Sequence, residues 1–340
     1  MRINRTISLV AVAVLAAGVI TSANAAPAPQ GKAIGYWNQA RLDAAQAIEL
    51  TVDETTGVGK LRVSPQAGRT TSKTISGSTT RVSATDWPQG SPIAQTAVGK
   101  VFFTVGTAAY VCSGALATDP YMDRAIVLTA GHCAWSQGSP GAFVTNFAFY
   151  PNFDAGVRQP WYASALVVRN EFATQTSFNN TALANDWAFA IIRPGGLNPA
   201  TLPDVNYQDA TSPLIAKNSY DLNVSGFTSG YTSYAFGYPA AAPFDGQTLK
   251  YAGATIFVDS NTKTTWGMNS TMTGGASGGP WLSNGTSTAA DAVNGKLSSL
   301  NSYKYNLDST KMYGPFFNNR TTRSFEAALV ATFNTLVSAL

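Results

Sequence analysis

The sequence predicts an all-β fold that ends in a helix and is preceded by an export signal and a removable N-terminal segment. Three observations lead there. From Val98 onward, short runs of β-branched and aromatic residues recur between Gly, Pro, Asn and Asp. Near the C-terminus the apolar spacing changes to a helical period. At the start, basic residues, an apolar run and a small-x-small site succeed one another.

At the N-terminus, Arg2 and Arg5 form a charged start, Ile7 to Ile20 is apolar, and Ala23-Asn24-Ala25 is a cleavage site. Residues 1–25 are therefore expected to be a signal peptide, and the protein to be secreted without a membrane anchor. The apolar run is short of the ~20 residues that span a bilayer comfortably, and no later run approaches it. Residues 26–91 differ in composition from the rest of the chain. Tyr36 to Leu50 is the one helical-looking stretch there, and Val63 to Gly90 is rich in Ser, Thr, Gly and Arg, as flexible connectors are. This segment is expected to be a propeptide, the alternative being a permanent extension. Residues 92–340 form the main domain. Its expected strands include Val98–Val105, Ala125–Thr129, Phe143–Tyr150, Ala163–Val168, Trp187–Ile192, Tyr251–Val258 and Lys296–Tyr303. In the last segment Phe325, Leu329, Phe333, Leu336 and Leu340 recur at helical spacing behind Ser324, a suitable N-cap.

Composition excludes several classes of function. Charged residues make up 12% of the 340, about half the usual quarter. The net charge is +4. From Pro92 onward, however, 13 Lys and Arg balance 13 Asp and Glu. The basic excess lies in the N-terminal segments, so no nucleic-acid footprint is present. Cys112 and Cys133 are an isolated pair in an exported chain, which predicts a disulfide. One histidine and two cysteines supply no closed zinc shell without carboxylates. No metal and no cofactor is expected.

That histidine, His132, lies in Thr129-Ala130-Gly131-His132-Cys133, at the end of an apolar strand. Gly274-Gly275-Ala276-Ser277-Gly278-Gly279-Pro280 suits neither a strand nor a helix, but it allows unusual backbone angles and close approach of another molecule. Two peptide N–H groups beside a serine can serve an oxyanion; the plain alternative is a glycine-rich turn with a passenger serine. Gly275 to Gly279 also fits the G-x-S-x-G elbow of α/β-hydrolases, where histidine comes after serine in the chain. No histidine lies beyond Ser277, so that fold is excluded. An order of His, Asp, Ser remains. Asp186, at the mouth of the apolar strand Trp187–Ile192, is the candidate acid. Asp154, Asp204, Asp209 and Asp221 occupy polar, turn-like contexts.

TAGHC, NDWAFAII and GGASGGP, in that order, resemble the three catalytic motifs of chymotrypsin-like serine peptidases. Cys112-Ser113-Gly114 resembles the strand whose cysteine bridges to the one after the histidine. The resemblance covers about Val98 to Phe317. It extends to secreted microbial trypsin-like enzymes through Gly35-Tyr36-Trp37, Gly99–Thr104, Phe236–Ala240 and Asn301–Phe317. It implies two six-stranded antiparallel β-barrels and a secreted endopeptidase, made as a zymogen, that acts on protein or peptide substrates as a monomer. Ser277 would be the nucleophile, His132 the base and Asp186 its orienter, with acylation of the serine. The N–H groups of Gly275 and Ser277 would form the oxyanion hole. Thr271, six residues before the serine, would lie at the bottom of the primary pocket. Ser302, or failing that Ser298, would line its wall.

Several departures qualify this picture. Ala276 stands where the digestive enzymes carry the aspartate that pairs with a new N-terminus. Ser270 and Ala252 stand where related enzymes carry a cysteine pair, so the nucleophile loop is expected to be freer. Thr271 is not acidic, so selectivity for Lys or Arg is not expected. No second histidine is available for an acid-selective pocket, which leaves a small or apolar side chain as the expected preference. A non-catalytic binding or adhesion module on the same fold is the alternative function, disfavoured because all three triad residue types are present.

Overall fold

The computed structural model describes residues 23–27, 35–67, 84–87, 94, 97–117, 125–153, 160–192, 229–283 and 296–317. The expected C-terminal helix lies outside them. In chain order the strands are β1 (Ala23–Pro27), β2 (Gln46–Val52), β3 (Gly59–Pro65), β4 (Thr85–Asp86), β5 (Val98–Val105), β6 (Ala108–Ala117) and β7 (Ala125–Thr129). They continue with β8 (Trp135–Ser136), β9 (Ala142–Phe143), β10 (Thr145–Pro151), β11 (Trp161–Arg169), β12 (Ala188–Ile192) and β13 (Thr232–Gly237). The remainder are β14 (Lys250–Thr255), β15 (Phe257–Val258), β16 (Thr265–Asn269), β17 (Pro280–Ser283), β18 (Lys296–Leu300), β19 (Tyr303–Tyr305) and β20 (Asp308–Pro315).

The first barrel has the order β6-β5-β10-β11-β12-β7, and pairing of β6 with β7 closes it. Its interior is filled by side chains such as Val101, Val127, Phe149 and Leu166, each contributing about 1.5–3 kcal/mol on burial. Closure leaves these strands no free edge within the barrel. In the second half, β18-β17-β13-β14-β4 form one sheet, and β15-β16-β20-β19 run in another. The two curve around a shared interior that includes Ala235, Trp266, Met268, Trp281 and Met312. Phe317 N–H donates to Ser298 O, and Ser299 Oγ donates to Pro315 O, stitching β18 to the end of β20. The architecture is the chymotrypsin-like double barrel.

One expectation is corrected. The helical-looking stretch Tyr36–Leu50 is helix only over Gln39–Ala44, capped by Asn38, whose side chain accepts from Arg41 N–H. Ala45 is extended, and Gln46–Val52 is strand β2. Tertiary pairing overrides local propensity here. β2 pairs antiparallel with β3 and parallel with both β6 and β19. It buries Ile48, Leu50 and Val52, and a helix would satisfy neither neighbouring strand edge.

Candidate active site

The register of β7 against β12 builds the first half of the site. Thr129 pairs with Ala188, so the turn after β7 meets the segment just before β12, where Asp186 lies. His132 lies in that turn, a 3₁₀ turn over Gly131–Cys133, and Cys133 is bonded to Cys112 of β6. The bridge pins the turn to the barrel wall. Asp186 grips the histidine twice: Oδ1 accepts from His132 N–H at 2.8 Å, and Oδ2 lies 2.8 Å from Nδ1. Ser302 Oγ donates to the same Oδ2 at 2.5 Å. These three bonds compensate a carboxylate that is fully buried. The arrangement presents Nε2 as the working nitrogen. It is buried and has no hydrogen-bond partner among the described residues.

The serine stands on a loop between β16 and β17. Gly275 has φ +95° and Gly278 has φ +85°. A Cβ on Gly278 would lie 2.3 Å from Thr129 Oγ1 and 2.4 Å from Ser113 O, so the backbone approach there requires glycine. The loop is expected to be freer for want of a disulfide, yet it is tied down at many points. Ser113 N–H donates to Ser277 O at 2.7 Å, and Ser113 Oγ donates to Gly275 O at 2.8 Å. Gly278 N–H donates to Asn301 O. The Asn301 amide donates to Phe236 O and Ala276 O and accepts from Trp281 Nε1. Sequence reasoning missed Asn301. Its cue is an amide between two strands, next to the serine of the pocket wall.

The structure also places the remaining expected residues. Ser302 is buried beside the triad acid, its Oγ on Asp186 Oδ2. Ser298 shares a hydrogen bond with Ser233 Oγ at 3.0 Å and donates to Trp281 O, between strands of the second barrel. Thr271 Oγ1 accepts from Ala84 N–H at 3.0 Å, just before β4. Ala276 is fully buried and carries no charge to receive a new N-terminus. The Sγ atoms of Cys112 and Cys133 lie near His132 but are consumed by their own bond, so they provide no thiolate to a metal.

The N-terminal strand lies over this cleft. Gly275 N–H, one of the expected oxyanion donors, donates at 3.0 Å to Ile48 O of β2. On one side of that point Gln46 and Ala47 pair with Tyr110 and Val111. On the other, Leu50, Thr51 and Val52 pair with Tyr303, Lys304 and Tyr305. Lys304, also missed from sequence, is buried, and burial pushes its amine down to about 8, with Glu49 and then Asp308 holding it up. Burial likewise raises the Glu49 carboxyl, against the pull of Lys304 and Arg62.

No family model and no curated sequence matches the chain. Solved structures do. A thermostable serine protease, AL20, from an extremophilic microorganism shares 29% identity, covering 70% of this chain and 98% of its own, with a TM-score of 0.55. The protease Anisep from Arthrobacter nicotinovorans shares 34%, covering 70% of this chain and 97% of its own, with a TM-score of 0.53. A third of the residues shared along almost the whole of such an enzyme, on the same pair of barrels, is inheritance and not chance similarity of shape: the chain belongs to the chymotrypsin-like serine proteases.

Proposed function

We propose that this protein is a secreted serine endopeptidase made as a zymogen, in which Ser277 attacks the peptide carbonyl and His132 takes its proton. Asp186 holds the imidazole in one tautomer and stabilises the imidazolium that forms. His132 then protonates the leaving amine, and water repeats the sequence on the acyl-serine. The N–H groups of Gly275 and Ser277 receive the oxyanion. Residues 1–25 direct export, residues 26–91 keep the enzyme inactive until removed, and residues 92–340 act as a monomer on proteins or peptides. Among the described residues no helix is long and apolar enough to cross a membrane.

The observation that carries the catalytic reading is the double grip of Asp186 on His132, which leaves one ring nitrogen uncommitted. The zymogen reading is supported by Ile48 O, which engages an oxyanion donor that a substrate needs. The test is labelling with a fluorophosphonate. Matured wild-type protein is expected to label and Ser277→Ala is not. Equal absence of labelling in both would favour a binding module on the same fold.

A further inference from the structure

A buried ammonium lies against the start of the segment that carries Thr271 and Ser277. Along β19, Tyr303 and Tyr305 both turn their hydroxyls to Asp259 Oδ2, each donating at 2.7 Å. Lys304, between them, points to the other face of the strand. Its Nζ donates to Ser270 O at 3.0 Å and to Ser309 O at 2.7 Å, and the residue is only 3% exposed. Ser270 begins the segment that runs through Thr271 and Gly274 to Ser277. The ammonium is therefore tied to the segment whose Thr271 is expected at the bottom of the primary pocket, and it stands two residues along the chain from Ser302, expected on the pocket wall. It has three N–H groups. Two are committed to carbonyls, and the third has no partner among the described residues.

Glu49 of β2 lies near the same segment. A Cβ on Gly274 would lie 3.4 Å from Glu49 Cβ and 3.1 Å from Ile48 O. Lys304 is the foremost charge acting on Glu49, and Glu49 the foremost acting on Lys304. No direct ion pair joins these two described residues, so the strand brings its carboxylate toward the ammonium without closing on it. Arg62, on the neighbouring β3, is the other cation acting on Glu49.

We propose that Lys304 is the specificity-determining residue of the primary pocket and selects substrates with Glu or Asp on the acyl side of the scissile bond, Glu49 being its occupant in the uncleaved chain. The proposal rests on the serine-endopeptidase reading and gives it a substrate class. A buried cation with an unspent N–H gains most from an anion, because Coulomb attraction strengthens as water is excluded. It repels Lys and Arg, and it gains nothing from an apolar side chain. This replaces the small or apolar preference expected from the absence of a second histidine: the chain supplies a lysine where a histidine would otherwise serve.

The experiment uses matured enzyme and a peptide library varied at the acyl-side position, with fluorophosphonate labelling to count active sites. Wild type is expected to show kcat/KM for Glu or Asp at least about tenfold above Gln or Leu. Lys304→Thr is expected to bring the Glu-to-Gln ratio of kcat/KM down to about one, whatever its overall activity per labelled site, and Lys304→Arg to retain the ratio. In the full chain, Glu49→Gln is expected to speed labelling of Ser277 several-fold, a readout that needs no Lys304 variant. Labelled wild type without an acidic preference, or a preference unmoved by Lys304→Thr, overturns the proposal. Wild type that never labels overturns the serine-endopeptidase reading itself.

Discussion

Asp186 uses its two oxygens for different tasks. Oδ1 holds the backbone of His132 and so fixes where the residue sits; Oδ2 receives Nδ1 and so fixes which nitrogen carries the proton. Asp186→Asn keeps the shape but puts an NH₂ where an acceptor is needed. In the proposed mechanism kcat then falls by about 10⁴, read as turnover per labelled site, with little change in fold by circular dichroism. Ser302→Ala removes a single hydrogen bond to Oδ2 and leaves the other two. Its expected cost is about 1.5 kcal/mol, or roughly tenfold in kcat, since bonds to charged groups are worth about that much. Gly278→Ala is the harsher change. The new Cβ meets Ser113 O and Thr129 Oγ1 well inside contact distance at a positive φ. Loss of soluble protein or of labelling is the expected outcome, and wild-type yield with wild-type labelling would refute the close packing.

Elements then determine how well those residues are held. The Cys112–Cys133 bridge spans 21 residues between β6 and the histidine turn. Replacing both cysteines with alanine is expected to cost about 3 kcal/mol in urea unfolding by loop entropy. Activity should suffer too, because His132 adjoins the bridge. Asn301→Ala strips partners from Trp281 Nε1 and from the carbonyls of Phe236 and Ala276. Buried groups left unpaired cost about 1–3 kcal/mol each, so a midpoint shift in urea should accompany a fall in kcat. The same scale explains what could be read from sequence. β5 is found at Val98–Val105 as expected, because its run of apolar and β-branched residues is buried on both faces and a turn follows it. The His132 turn was legible because it follows an apolar strand, and Asp186 because it stands just before one. β2 was not: its spacing suits a helix, and only the distant edges of β6 and β19 make it a strand. Lys304 was hidden for a related reason. Reading the pocket wall by its serines picked out Ser302 but not the lysine two residues on, whose role depends on which face of β19 turns inward.

At the scale of the molecule, the N-terminal segment is woven into both halves of the fold. Gln66, just past β3, donates its amide to Leu42 O and Ala45 O, and its Oε1 accepts from Lys100 Nζ of β5. Lys100 is 1% exposed, and its ammonium lies over the rings of Phe102 and Phe153. Burial pushes its amine down to about 7, and Asp245 and Asp43 only partly oppose this. The folded value thus lies below that of the unfolded chain. Between about pH 7 and 10 the unfolded state binds the proton that the folded state sheds, so stability rises with pH across that window. Below about pH 7 the cost of the buried charge is felt in full. Urea midpoints of the full chain are expected to climb from pH 7 to 9.5, and Lys100→Met to flatten the climb. The direction of β2 has a further consequence. In the proposed mechanism a substrate with its acyl residue beside β19 and its leaving amine over β6 would run from β19 to β6. β2 pairs parallel with both and runs the opposite way. On that mechanism its peptide bonds would be offered backwards to Ser277, and occupancy would not lead to cleavage. While tethered, the strand competes at a fixed local concentration that no substrate level in the medium readily exceeds. Once cut elsewhere it competes as an ordinary solute, intact and able to rebind. Newly matured enzyme should therefore show a lag that lengthens in concentrated samples and vanishes in thin ones: escape into a large volume, more than the cut itself, turns the activity on.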